Sequence, residues 1–214
     1  MAAAEPSADC QRCPRLAAFR RDNRAAYPEY HNAPVSSFGG TGARLLIVGL
    51  APGLQGANRT GRPFTGDYAG DLLYKTLIDF GFASGVFKAD PSDGLELVDC
   101  MITNAVRCVP PQNKPTGVEA STCRSFLTAQ IGALPRLKVM VALGKIAHDN
   151  VVASLGLRQV AHPFGHGNEH ALAGGRMLID SYHCSRYNTN TGVLTELMFQ
   201  AMFEKVRARL AGDS

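Results

Sequence analysis

The chain has 214 residues, 45% of them hydrophobic, six cysteines and a formal net charge of +4. That length buries one substantial core, no run approaches the eighteen apolar residues of a membrane span, and so mild a basic excess permits a polyanionic partner without requiring one. The first residues lack the basic and apolar regions of a secretory signal, which predicts a cytosolic protein; in that reducing compartment clustered cysteines point to metal or redox work rather than to disulfides.

In chain order, residues 1–40 contain Pro14, Pro28 and Pro34 and no clear strand, so they are expected to wrap the core as an arm rather than to enter a sheet. Short, continuous apolar runs at 45–49, 98–105, 137–143 and 177–182 read as strands buried on both faces of a parallel sheet. Helical patterns lie between and after them at 70–80, 118–134, 145–153 and 194–210, with Thr116 and Glu119 spaced as a capping box. Residues 83–94 and 164–175 are punctuated by Gly, Ser and Asp and read as loops or a hairpin. The alternation predicts an α/β protein, a three-layer α/β/α sandwich around a mostly parallel central sheet, with residues 1–214 forming a single domain.

Ligands of an open parallel sheet bind beyond the carboxyl ends of its strands. Here those segments are 49–67, 104–107, 144–145 and 183–188. The first is a loop with five glycines, the arginines Arg59 and Arg62, and Phe64 beside the only acid, Asp67. Glycines allow close backbone approach to a ligand, the arginines suit phosphates, and the ring offers a flat face. The glycine spacing matches neither the dinucleotide fingerprint nor a P-loop. Cys184 reads as a small packing residue, with a nucleophile the minority reading, and Cys100 as core. His162 and His166 form a second histidine loop without a partner set for metal, and His31 and His170 carry no functional signal.

Cys10 and Cys13 form a C-x-x-C pair, whereas Cys108 and Cys123 stand fifteen positions apart around a proline-rich segment. Four thiolates suffice for one metal centre, either tetrahedral zinc or a 4Fe-4S cluster, and the arrangement reads as a structural clip between the N-terminal arm and a core loop.

Several separated motifs together resemble the uracil-DNA glycosylase superfamily, most closely its iron-sulfur-containing family 5 (UDGb type). They are Gly-Leu-Ala-Pro-Gly at 49–53 with Asn-Arg-Thr-Gly-Arg-Pro-Phe-Thr-Gly-Asp at 58–67, Ile-Thr-Asn-Ala-Val-Arg-Cys at 102–108 followed by Val-Pro-Pro-Gln-Asn-Lys-Pro-Thr, and Tyr-His-Cys-Ser-Arg-Tyr-Asn-Thr-Asn-Thr-Gly-Val-Leu-Thr at 182–195. Leu50 stands where family 4 members typically carry an acid, which makes Asp67 the replacement, and Cys184 stands where the superfamily often has proline.

The resemblance implies a monomeric, cytoplasmic and nucleoid-associated DNA-repair glycosylase that removes uracil, and hypoxanthine or other deaminated bases, from DNA. It assigns catalysis to Asp67 and His183, with Phe64 stacking on an extruded base, Asn104 reading its edge, and Gly49, Ala51 and Asn188 completing substrate binding. Arg59, Arg62, Lys114, Arg186 and Tyr187 become candidate DNA contacts, with the Arg186-Tyr187 tip entering the groove, and Arg107 a further candidate phosphate ligand. Cys10, Cys13, Cys108 and Cys123 become ligands of a structural 4Fe-4S cluster. The rivals are an iron-sulfur redox or electron-transfer protein and a damaged-DNA-binding module without catalysis.

Overall fold

A computed structural model describes residues 5–212. Its sheet has six strands, β1 (Phe38–Gly39), β2 (Leu45–Gly49), β5 (Cys100–Asn104), β6 (Val139–Leu143), β7 (Glu169–Ala171) and β8 (Met177–Ser181), in the order β1-β5-β2-β6-β8-β7. The inner four are parallel and in register, with Leu45 opposite both Cys100 and Val139, and Val139 opposite Met177. The two edge strands are antiparallel. A separate small ribbon pairs β3 (Ala83–Ser84) with β4 (Glu96–Leu97), so the segment read as loop or hairpin is a hairpin.

Alternation along the strands builds two cores. On one face Leu45, Ile47, Ile102, Val141 and Ile179 pack against Leu73 and Leu77 of α3 (Tyr68–Asp79) and Phe199, Phe203 and Val206 of α7 (Glu196–Ala211). On the other, Leu46, Val48, Met101, Met140 and Leu178 meet Leu127 and Ile131 of α4 (Gly117–Gly132) and Val151 and Val152 of α5 (Lys145–Ser154). The three layers and the four principal strands and helices stand where the apolar runs place them.

The arm departs from expectation in one respect. Residues 38–39 do enter the sheet: Phe38 pairs with Ile102 and Gly39 with Met101. Two residues are too short to show a strand pattern, and the pairing is allowed by Gly39 at φ +117°, where a Cβ would collide with the Cys100 carbonyl. The described remainder of the arm forms no strand and packs on the core. Its helix α1 (Pro14–Ala26) starts on a proline, and Leu16 packs with Val106 and Phe126. Arg15 reaches both carboxylate oxygens of Glu119 at 2.7 Å, while the same Glu119 closes the capping box on Thr116. The first four residues of the arm lie outside the described residues.

Beneath the β7 edge lies a buried polar network built on residues without a sequence signal. Asp180, at 0% exposure, accepts from His148 Nδ1 at 2.6 Å, His170 Nε2 at 3.0 Å and the Gly165 N–H at 3.3 Å. His148 Nε2 donates to the His162 carbonyl at 2.8 Å. Both nitrogens of His148 therefore face oxygen acceptors and both must donate, which requires the imidazolium. Burial opposes that charge, but the hydrogen bond and charge of Asp180 and the His162 carbonyl outweigh it and hold the ring's pKa above the ordinary imidazole value. A raised histidine pKa contributes stability that is present below the unfolded value of about 6.5 and is lost as pH rises through the folded value. His148→Ala, leaving Asp180 buried, should destabilise the fold by about 3–5 kcal/mol at pH 6. Urea unfolding should give a smaller gap at alkaline pH, and a gap that widens with pH contradicts the charged assignment.

Candidate active site

The chain leaves β2 toward β5 on one side, and leaves β6 toward β8 on the other, so the strand order reverses between β2 and β6. A crevice opens beyond the carboxyl ends at such a point. A cavity of about 320 Å³ lies at this edge, lined by Leu50, Ala51, Pro52, Gly53, Ala57, Phe64, Asp67, Tyr68 and Ala69 from the glycine-rich loop and the start of α3, by Asn104 and Asn113, and by His183, Ser185 and Arg186 after β8. Segments far apart in sequence converge there.

Gly49 ends β2, and a Cβ on it would fall 2.5 Å from Asn104 Oδ1 and 2.6 Å from the Phe64 ring. Glycine thus lets both side chains close over the strand end. Phe64 is 6% exposed, its backbone in the left-handed region at φ +52°, and its ring stacks on His183 with centroids 6.0 Å apart. Asn104 is 3% exposed, and its amide makes no hydrogen bond among the described residues. The His183 ring likewise has none, and burial lowers its pKa, so it is neutral at pH 7 and keeps an N–H to donate. A buried amide and a half-buried imidazole without internal partners, on the wall of one cavity, are what a polar ligand would satisfy.

Asp67 caps α3, its Oδ1 accepting from the Gly70 N–H at 3.3 Å. Its Oδ2 lies against Gly53 and Gly56, where a Cβ on Gly56 would overlap the carboxylate. Burial pushes the acid above the usual carboxylate range, against the backbone hydrogen bonds from Gly70 and Ala69. Asp67 is the only acid among the lining residues.

Other expected site residues fall differently. Arg62 is 5% exposed and forms a two-pronged ion pair with Asp93 at 2.8 Å on each arm, so it has no donor for DNA phosphate. Arg107 pairs with Glu5 at 2.8 Å and is excluded by its burial, at 1% exposure, with its spare N–H groups on the cysteine-lined wall. Asn188 does not line this cavity but an adjoining one shared with Leu50 and His183, and its Nδ2 donates to the His183 carbonyl at 2.8 Å, bracing the loop. Ala51 lines the cavity, whereas Gly49 forms its backing. Arg59 and Lys114 are exposed and are not among the lining residues, Arg186 lines the cavity and lies over the Tyr68 ring at 5.3 Å, and Tyr187 is 73% exposed. His162 and His166 stay outside the cavity; His166 Nδ1 accepts the Tyr182 N–H at 3.2 Å. Cys184 is packing: fully buried, bonded to the Ala69 carbonyl, with burial driving its thiol up to about 12, far from a nucleophile's range. The sequence reading misses Asn113. It reaches the cavity because Gln112 and Asn113 both adopt positive φ, +55° and +56°, a bend that the prolines around them suggest only generically.

Cys10, Cys13, Cys108 and Cys123 all line one small cavity between the arm, the end of β5 and α4. Burial, then mutual repulsion, raises the pKa of Cys13, while Cys108 is pushed up to about 11 by burial despite Arg20. Arg20 Nη1 donates to Cys108 Sγ at 2.9 Å and the Arg107 N–H to Cys123 Sγ at 3.4 Å. Arg20 Nε and Arg107 Nε and Nη2 are buried without partners on the same wall. Four cysteines lining one small cavity, with spare cationic donors on the same wall, are compatible with a metal centre bound as thiolates, although no three of their sulfurs lie within 4.8 Å of one another.

The model of the uracil DNA glycosylase superfamily matches residues 36–209 of this chain. A protein of Thermus thermophilus named type-5 uracil-DNA glycosylase is 48% identical over 208 residues, 95% of this chain and 94% of that protein. A type-5 uracil-DNA glycosylase of Pyrobaculum aerophilum is 40% identical over 191 residues, 87% of this chain and 83% of that protein. The similarity to a type-4 uracil-DNA glycosylase of Thermotoga maritima is lower, 34% over 148 residues, 69% and 67% of the two chains. Since the family match contains every strand of the sheet and every wall of the carboxyl-edge cavity, the chain belongs to the uracil DNA glycosylase superfamily.

Proposed function

We propose that this chain hydrolyses the N-glycosidic bond of uracil in DNA, leaving an abasic site, and that it also accepts hypoxanthine. The observation that carries the reading is the pairing of two unsatisfied polar groups, the Asn104 amide and the neutral His183 ring, in a cavity that Phe64 and Asp67 also line. An extruded base supplies the missing partners. Phe64 stacks on the base and Asn104 reads its Watson–Crick edge, with Asn113 closing the mouth. As the C1′–N bond breaks, the base leaves with the electron pair and His183 donates to the ring oxygen where charge accumulates. Asp67 faces the sugar, where its carboxylate stabilises oxocarbenium character and orients the water whose oxygen bonds to C1′; the water's proton passes to the carboxylate or to solvent. Arg59, Lys114, Arg186 and Tyr187 meet the DNA.

The four cysteines hold a 4Fe-4S cluster in this reading. Hydrolysis moves no electrons, so the cluster's work is structural: it clips the arm to the Cys108–Cys123 loop that presents Asn113 and Lys114. The chain acts as a single domain and as a monomer, in the cytoplasm at the nucleoid. No helix among the described residues is long and apolar enough to cross a membrane.

The direct test incubates the protein with duplexes carrying uracil or hypoxanthine and scores alkali-labile abasic sites; intact strands on every substrate remove the enzymatic reading. His183→Ala should lose about 10²–10³ in rate with little change in melting temperature. Asp67→Asn should abolish turnover and leave stability equal or higher. A carboxyl with a raised folded pKa costs stability when ionised at neutral pH, and asparagine still caps α3. For the same reason the acid limb of the rate profile should lie above the ordinary aspartate range of about 3.9, and a limb at or below it removes Asp67 as the titrating group. Elemental analysis should return iron near four per chain, and Cys13→Ser should lower both iron content and melting temperature; zinc in place of iron removes the cluster assignment.

A further inference from the structure

Between Thr60 and Asp67 the backbone passes three times through the left-handed region, at Gly61 (φ +79°), Phe64 (φ +52°) and Gly66 (φ +92°). Glycine adopts that conformation freely, whereas a bulky aromatic residue holds it only when its surroundings impose it. The imposing contacts centre on Arg62. Its Nε donates to Thr65 Oγ1 at 2.8 Å, Thr65 Oγ1 donates to the Pro63 carbonyl at 3.2 Å, and Tyr74 Oη donates to that same carbonyl at 2.7 Å.

The other two guanidinium arms reach Asp93 across the chain. Asp93 has a fully buried side chain and also accepts the N–H groups of Lys88 and Leu95, each at 3.0 Å, so the loop joining β3 to β4 is folded around this carboxylate. The guanidinium lies within 5.3–5.7 Å of the Phe38, Tyr74 and Phe87 rings. Arg62 is thus a rigid strut. One end is pinned to a distant hairpin, and the other stands two residues before Phe64 and five before Asp67.

We propose that the Arg62–Asp93 pair is a positioning device for the glycosylase site, holding the Phe64 face and the Asp67 carboxylate in register with Asn104 and His183. Neither residue touches the cavity, so the pair acts through the loop, and the inference rests on the roles given above to Phe64 and Asp67. Planar two-pronged geometry with a third bond to Thr65 is a task for arginine that lysine cannot perform.

The test is steady-state kinetics on a uracil duplex for Arg62→Lys, Asp93→Asn and the apolar pair Arg62→Met/Asp93→Leu, with kcat normalised to folded protein. A buried ion pair replaced by apolar side chains of similar volume often keeps its stability, so the double variant separates folding from positioning. Each folded variant should lose about 10- to 100-fold in kcat, with KM within about two-fold of wild type and retained binding of an abasic product duplex. Combining Arg62→Lys with Asp93→Asn should cost no more than the worse single change. Wild-type kcat per folded molecule in any of these variants, whatever its melting temperature, overturns the proposal. Absence of base release by the wild-type protein instead removes the enzymatic reading on which it rests.

Discussion

Burial of the parallel sheet on both faces governs where chemistry can occur in this molecule. In β2, β5 and β6 every residue is buried, and in β8 only Met177 is partly open. No strand interior can present a side chain to a ligand, so reactive groups have to sit past the strand ends. The reversal of strand order between β2 and β6 then determines which end is open, and the cavity follows from topology before any functional residue is named.

The molecule holds two kinds of buried polar group, and the difference between them marks function. Arg62 with Asp93, and His148 with Asp180 and His170, are saturated networks in which most donors and acceptors are spent inside the chain. They fasten loops. Asn104, buried, and His183, half-buried, by contrast line the cavity with no partner inside the described residues, and Arg20 and Arg107 carry spare N–H groups toward the cysteines. An unsatisfied buried group costs free energy comparable to a lost hydrogen bond, so its persistence calls for a partner from outside the chain. One set of orphans faces the proposed base, the other the proposed cluster.

Most of the frame was legible because it depends on local rules. Continuous apolar runs marked the four inner strands, and Thr116 with Glu119 announced the start of α4. The convergence of Phe64, Asp67, Asn104 and His183 followed from strand polarity. What was misread depended on partners remote in sequence. Arg59 and Arg62 look alike in one glycine-rich motif, yet Asp93, thirty-one positions away, removes Arg62 from the surface while Arg59 stays exposed. Asn188 sits in a motif loop, and its amide N–H is spent on the backbone of its own turn, beside the cavity and not in its wall. His148, His170 and Asp180 carried no signal because their relation exists only where α5, β7 and β8 meet.

The sequence by itself determined the layered architecture, the edge on which the site would form and the residue types available there, because periodicity and strand polarity are properties of the chain read locally. Only the tertiary structure decided which arginines are struts and which are free, that Asp67 is desolvated, and that Asn113 bends into the cavity. Those outcomes depend on burial and on which partner occupies each donor, and both arise only when distant segments exclude water together.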